Sequence, residues 1–225
     1  MEADDIIMVM KVQLQAREYT KSLRQLVSHP DSMRELALSG GQLYVIGEIH
    51  SSALARTALY AASSISLAVN YHVWYDSLQR AAKRILRARK KIMYLEFHLY
   101  TLLEPDGFFL EGSNEQVGAR NPSRDPAAAY ARRRASGIPL CYLDDKNPYF
   151  EQLHRRGEPL TPEEYEALQR ERETIWVERI RTVRDYGPQR PVLRIGAYHA
   201  DDGYGLITAL RNEGMRVTHL NPWNI

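Results

Sequence analysis

The chain has 225 residues, 44% hydrophobic and 26% charged, a size and balance that allow one well-buried core and exclude fibrous and disordered classes. Thirty basic against twenty-eight acidic residues leave a formal charge of +2, too small to imply a nucleic-acid partner unless the charge gathers on one face. The single cysteine, Cys141, excludes an intrachain disulfide and a thiolate metal cluster and fits a reducing compartment.

Residues 5 to 28 predict an amphipathic helix, with Ile6, Val9, Met10, Val12, Leu14, Leu23 and Leu26 at roughly helical spacing. A short helix follows Pro30, with Asp31 as its N-cap, so about 1 to 40 forms an N-terminal helical segment. After Ser39-Gly40-Gly41, residues 43 to 46 make a compact apolar strand that runs straight into the polar tetrad GEIH. The alanine-rich stretch from Ser51 to Tyr71 predicts a helix, continued or succeeded by another ending near Lys91. Between Arg80 and Lys91 lie seven Lys and Arg and no acid, which reads as a solvated helix face. IMYLEFH is the second expected strand, and about 104 to 126, with its glycines and prolines, a loop insertion.

Residues 126 to 136 predict a helix closed by Gly137, and IPLCYLDD a third strand ending in Asp144 and Asp145. Cys141 within it reads as a small buried hydrophobe. Thr161 as N-cap with Pro162 behind it opens a long charged helix running to about Arg184. PVLRIGAYH is a fourth strand, DDGYGLITALRNEG a turn and helix closed by Gly214, and MRVTHL a last strand. Strands alternating with helices predict a single α/β domain over 1 to 225, with a mostly parallel sheet flanked by helices on both faces. No apolar run reaches membrane-spanning length and the acidic start MEADD is unlike a secretory leader, so the expectation is a cytoplasmic chain without membrane or nucleic-acid partners.

Chemistry is expected at the strand ends. Residues two apart on a strand share a face, so Glu48 with His50, and Glu96 with His98, form acid/imidazole pairs at the carboxyl edge where open sheets collect ligands. His199 ends a third such run, while Gly47 and Gly196 allow a sharp turn or close approach. Glu48, His50, Glu96 and His199, with His98 as a further candidate, are a donor set suited to zinc, manganese, cobalt or iron. The same set can run acid/base chemistry without a metal, a carboxylate fixing and strengthening its imidazole. Pairing with arginine is the other explanation for the two glutamates, though it leaves the histidines unexplained. His29, His72, His154 and His219 carry no such context.

These residues resemble a family, the superfamily that includes erythromycin esterase, the iron-regulated protein ChaN and the Tiki/TraB peptidase-like proteins. VIGEIHSS is similar to its opening motif, YLEF to its second strand bearing glutamate, IPLCYLDD to a later strand ending in aspartate, and RETIWVERI to its arginine-led helix. RIGAYHADDGYGLITALRNEGMRV resembles the closing segment of TraB-like members. The resemblance implies an EreA/ChaN-like fold and carries Glu48, His50, Glu96, Arg172 and His199 over as catalytic positions. Arg172 would orient a substrate carboxylate or stabilise an oxyanion, with Asp144 and Asp202 beside it as substrate contacts. His98, the glycine- and proline-rich segment after it, and Asp201 with Asp202 depart from the family pattern. The implied function is a metal-dependent hydrolase of an ester or amide bond in a small molecule or peptide. The alternatives are a metal-dependent lyase or cyclase on a biosynthetic intermediate and a ChaN-type haem or iron binder with His or Tyr as axial ligand. A homodimer is compatible with this reading.

Overall fold

In the computed structural model, residues 3–39, 42–48, 57–59, 72–113, 125–134, 137–145, 157 and 160–220 are described. The chain divides into two compact units, one of Met1–His29, Ile49–Leu99 and Pro222–Ile225, the other of Pro30–Glu48 and Tyr100–Asn221. His50, His154, most of the helix expected over 51–71 and residues 114–124 of the expected loop lie outside the described residues.

The first unit contains α1 (Ala3–Val27) and most of α3 (His72–Leu103). On α1 the buried apolar positions are Val9, Ala16, Tyr19, Leu23 and Leu26, a stripe with steps of seven, three and four residues. Met10 and Leu14, expected on that stripe, are 64% and 57% exposed. The helix α3 overturns the second expected strand. IMYLEFH is rich in residues that also suit strands, yet Ile85, Ile92, Leu95, Leu99 and Leu103 keep a helical period through it and are all buried. On a helix, residues two apart point about 200° apart, so Glu96 and His98 do not share a face. Glu96 is buried, its Oε1 accepting a hydrogen bond from Tyr19 Oη at 2.7 Å, while His98 is exposed.

The second unit holds a five-stranded, all-parallel sheet in the order β3-β2-β4-β1-β5. Its strands are β1 (Gln42–Glu48), β2 (Gly107–Ser113), β3 (Leu140–Asp144), β4 (Pro191–Gly196) and β5 (Arg216–His219). Thus β2 comes from the segment expected to be a loop. Pro105 and the glycines at 107 and 112 masked the four-residue run Phe108-Phe109-Leu110-Glu111, which the neighbouring strands β3 and β4 complete as a buried central strand. The remaining strands lie where they were expected, although β4 ends at Gly196 and His199 sits in the short helix α6 (Ala197–Ala200).

Strand alternation sends side chains to two faces. Leu43 and Val45 of β1, Phe109 of β2, Leu143 of β3 and Leu193 and Ile195 of β4 form one core cluster with Trp176 and Ile180 of α5 (Pro162–Tyr186) and with Leu206, Ile207 and Leu210 of α7 (Leu206–Asn212). Cys141 packs against that cluster, half-buried, with its thiol pushed up by burial. On the opposite face Tyr44 Oη donates to the Leu36 carbonyl of α2 (Pro30–Leu38) at 2.7 Å. There Phe108 meets Tyr100 and Tyr130 edge-on at 5.0 and 6.0 Å, Tyr130 belonging to α4 (Pro126–Arg133). Helices therefore cover both faces, as parallel sheets require.

Local signals place the helix ends. Thr161 Oγ1 accepts from Glu164 N while Glu164 Oε2 accepts from Thr161 N, closing a capping box ahead of Pro162. Gly214, at φ 76°, ends α7, with Met215 N donating to Leu210 O. Asp31 lies within the first turn of α2 rather than capping it, since the helix begins at Pro30.

His219 on β5 carries a pH consequence. Burial foremost, opposed by Asp201 and the Ala200 backbone, lowers its pKa below 6.5, and its Nε2 is buried without a hydrogen-bond partner among the described residues. The unfolded chain then takes up a proton on acidification that the folded chain resists, so this group's contribution is present above the unfolded value and is lost as pH falls through and below it. His219→Gln is expected to lose less stability than wild type between about pH 7 and pH 5. Urea unfolding at the two pH values checks it, and equal losses in the two proteins would refute it.

Candidate active site

The carboxyl ends of β2, β3 and β4 gather around one helix face. Gln169, Glu173, Trp176 and Ile180 recur along α5 at steps of four, three and four, and all are buried. Arg172 is on the same side, with a side chain 12% exposed. The chain leaves β2 for β3 on one side and β4 for β5 on the other, so the crevice between β2 and β4 is a topological switch point, where open sheets bind ligands.

Asp144, the last residue of β3, is the hub. Its Oδ1 accepts from Trp176 Nε1 at 2.7 Å and Arg172 Nε at 3.2 Å, and its Oδ2 from Arg172 Nη2 at 2.8 Å and Gly112 N at 3.1 Å. Arg172 also donates through Nη1 to Gln169 Oε1 at 2.5 Å and through Nη2 to Glu111 Oε1 at 3.3 Å, and its guanidinium lies 4.6 Å from the Trp176 ring centre. Burial opposes its charge, but the hydrogen bonds and charges of Asp144 and Glu111 outweigh burial and raise its pKa. Glu111, at the end of β2, accepts through Oε2 from Gly196 N at 2.7 Å, tying β2 to the end of β4.

His199 completes the cluster. Its Nδ1 lies 2.7 Å from Glu173 Oε1, its Nε2 lies 3.9 Å from Glu111 Oε1, and its ring is flanked by Trp176 at 5.0 Å and Tyr204 at 5.3 Å. The short helix bearing His199 sits directly on β1. A Cβ at Gly47 would come within 2.9 Å of Ala200 Cβ, so the glycine expected to permit close approach admits this helix.

The expected residues are distributed unequally. Arg172, Asp144 and His199 come together. Glu48 ends β1 as expected, but it has the alternation of Tyr44 and Ile46, away from the face of Val45 and Phe109. There it forms an ion pair with buried Arg194, which also reaches Asp125 Oδ2 at 3.4 Å. Arginine pairing thus accounts for Glu48. Glu96 belongs to the other unit, hydrogen-bonded to Tyr19. Asp202, at φ 63°, accepts from Ile207 N and Thr208 Oγ1 and so closes the turn into α7. Among the described residues, which do not include His50, no three His, Cys, Asp or Glu side chains are grouped to hold a metal ion.

Three central residues escaped the sequence reading: Glu111, Glu173 and Trp176. A signal existed for each. Glu173 and Trp176 lie on the buried helical stripe within RETIWVERI, and Glu111-Gly112 follows an apolar run much as the polar residues follow it in GEIH. Comparison with protein-family models, curated proteins and solved structures finds no match.

Asp144→Ala strips Arg172 and Trp176 Nε1 of their acceptor where the Asp144 side chain is 6% exposed. Breaking a buried pair costs about 3 kcal/mol, which urea unfolding should show. A loss under about 0.5 kcal/mol would mean that the pair behaves as a surface ion pair.

Proposed function

We propose that the chain is an acid/base hydrolase of an ester or amide bond in a small molecule or peptide, with His199 as general base. The observation that carries this reading is the 2.7 Å contact between His199 Nδ1 and the buried Glu173 carboxylate. That contact holds the proton on Nδ1, leaves Nε2 as the acceptor, and stabilises the imidazolium that forms when a water proton is taken. Trp176 and Tyr204 restrict the ring's tilt, so its orientation costs little during reaction.

Nε2 faces Glu111 Oε1 across 3.9 Å, too far for a direct hydrogen bond. A water entering beside Nε2 would be polarised by the imidazole with the Glu111 carboxylate close by. Arg172 has four donor contacts committed to Asp144, Gln169 and Glu111, so it acts as a positioning residue for Glu111 rather than as an oxyanion donor. The resemblance to the erythromycin esterase, ChaN and Tiki/TraB superfamily supports the hydrolytic reading through esterase members that use His and Glu to activate water.

The test is a panel of nitrophenyl esters and aminoacyl nitroanilides with the full chain. His199→Gln is expected to lower kcat/KM by about 100-fold or more. Glu173→Gln, which keeps the side chain's shape but removes its charge, is expected to lower it by about 10- to 100-fold. A wild-type protein that cleaves none of the panel, or a His199→Gln variant as active as wild type, would reject the assignment.

A further inference from the structure

The basic run on α3 lies outside the candidate active site, and the helix has sorted it. Taking 100° per residue, Arg80, Lys83, Arg84, Arg87, Lys90, Lys91, Tyr94 and His98 fall within an arc of about 120° over roughly 27 Å. All eight are exposed, Tyr94 at 71%. The opposite side carries Ala81, Ala82, Ile85, Ile92 and Leu99, all buried. No Asp or Glu occurs between Arg80 and Leu95, and among the described residues Lys83, Arg84, Arg87, Lys90 and Lys91 form no ion pair. Five like charges without a counter-ion among the described residues repel one another at helical neighbour distances of about 5 to 6 Å, a cost that a polyanion would remove.

We propose that this face binds single-stranded nucleic acid, the cations contacting phosphates and Tyr94 stacking on a base. Charge complementarity names a polyanion, and the exposed aromatic ring at the end of the basic stripe adds the π surface that single-strand binders use. A lipid surface fits less well. An amphipathic helix enters the interface by its apolar side, and here that side is buried in the protein's own core. The formal charge of +2 does not oppose this, because the condition for a nucleic-acid partner is local gathering of charge and α3 supplies it. The proposal is independent of the hydrolase reading, since no residue of the candidate active site lies on this face.

Fluorescence anisotropy of the full chain with a labelled 20-nucleotide oligo-uridine tests it. Five phosphate contacts on a single strand give a slope of about −3.5 in log affinity against log salt, hence roughly a 100-fold loss between 50 and 200 mM. Lys83→Glu with Arg87→Glu and Lys91→Glu should weaken binding more than about 10-fold with an unchanged circular dichroism spectrum, since all three side chains are exposed. Tyr94→Ala should weaken it about fivefold or more without altering the salt slope. Absence of binding at low salt, an unaffected triple variant, or tighter binding to phosphatidylserine vesicles than to the oligonucleotide would overturn it.

Discussion

A carboxylate buried at the end of a strand is stable only if its charge is met, and Asp144 meets that condition with four donors from three residues on two elements. Through Gly112 N it touches β2, and through Arg172 and Trp176 it fastens α5. Arg172 passes the constraint to Glu111, and Glu111 passes it to the backbone at the end of β4. The chain Trp176, Asp144, Arg172, Glu111, Gly196 therefore spans the carboxyl edge of three adjacent strands. It sets the height and rotation of α5, and with them the place where Glu173 meets His199.

Such a network is costly to build and sensitive to any missing member. Each donor and acceptor has given up water, so removing one leaves the others desolvated without return. That sensitivity is useful at a reactive site. An imidazole held at one nitrogen by a carboxylate and flanked by aromatic rings needs little reorganisation to take a proton. The cluster sets three carboxylates, Glu111, Asp144 and Glu173, around one guanidinium and one imidazole.

Alternation along the strands separates Glu111 from Glu48, whereas Asp144, the last residue of β3, reaches α5 out of step with Leu143. Glu48 and Glu111 stand at comparable heights on β1 and β2, yet Glu111 shares the face of Phe109 and Glu48 the face of Ile46. One joins the arginine of a helix and the other the arginine of a strand. Glu96 shows the larger consequence of period. Read at a period of two it belongs beside His98 at a strand end, and read at 3.6 it turns inward to Tyr19 while His98 turns outward. The same 3.6-residue period collects the scattered cations of α3 on one exposed side.

Local chemistry carried much of the fold in the sequence alone. The Thr161 capping box, Gly214 in the left-handed region, and the apolar runs of β1, β3, β4 and β5 are set by neighbours within a few residues, so one chain suffices to see them. His199 was legible as a polar residue following an apolar strand, and Arg172 through the resemblance of its helix. The tertiary structure decided what depends on distant partners. Whether FFLEG becomes a central strand depends on β3 and β4 lying beside it, and whether IMYLEFH winds or extends depends on which pattern finds a core to bury against. The pairing of His199 with Glu173, twenty-six residues apart, and of Arg172 with Glu111, sixty-one apart, exists only once β2, β4 and α5 have packed, because no local rule brings such residues within hydrogen-bond distance.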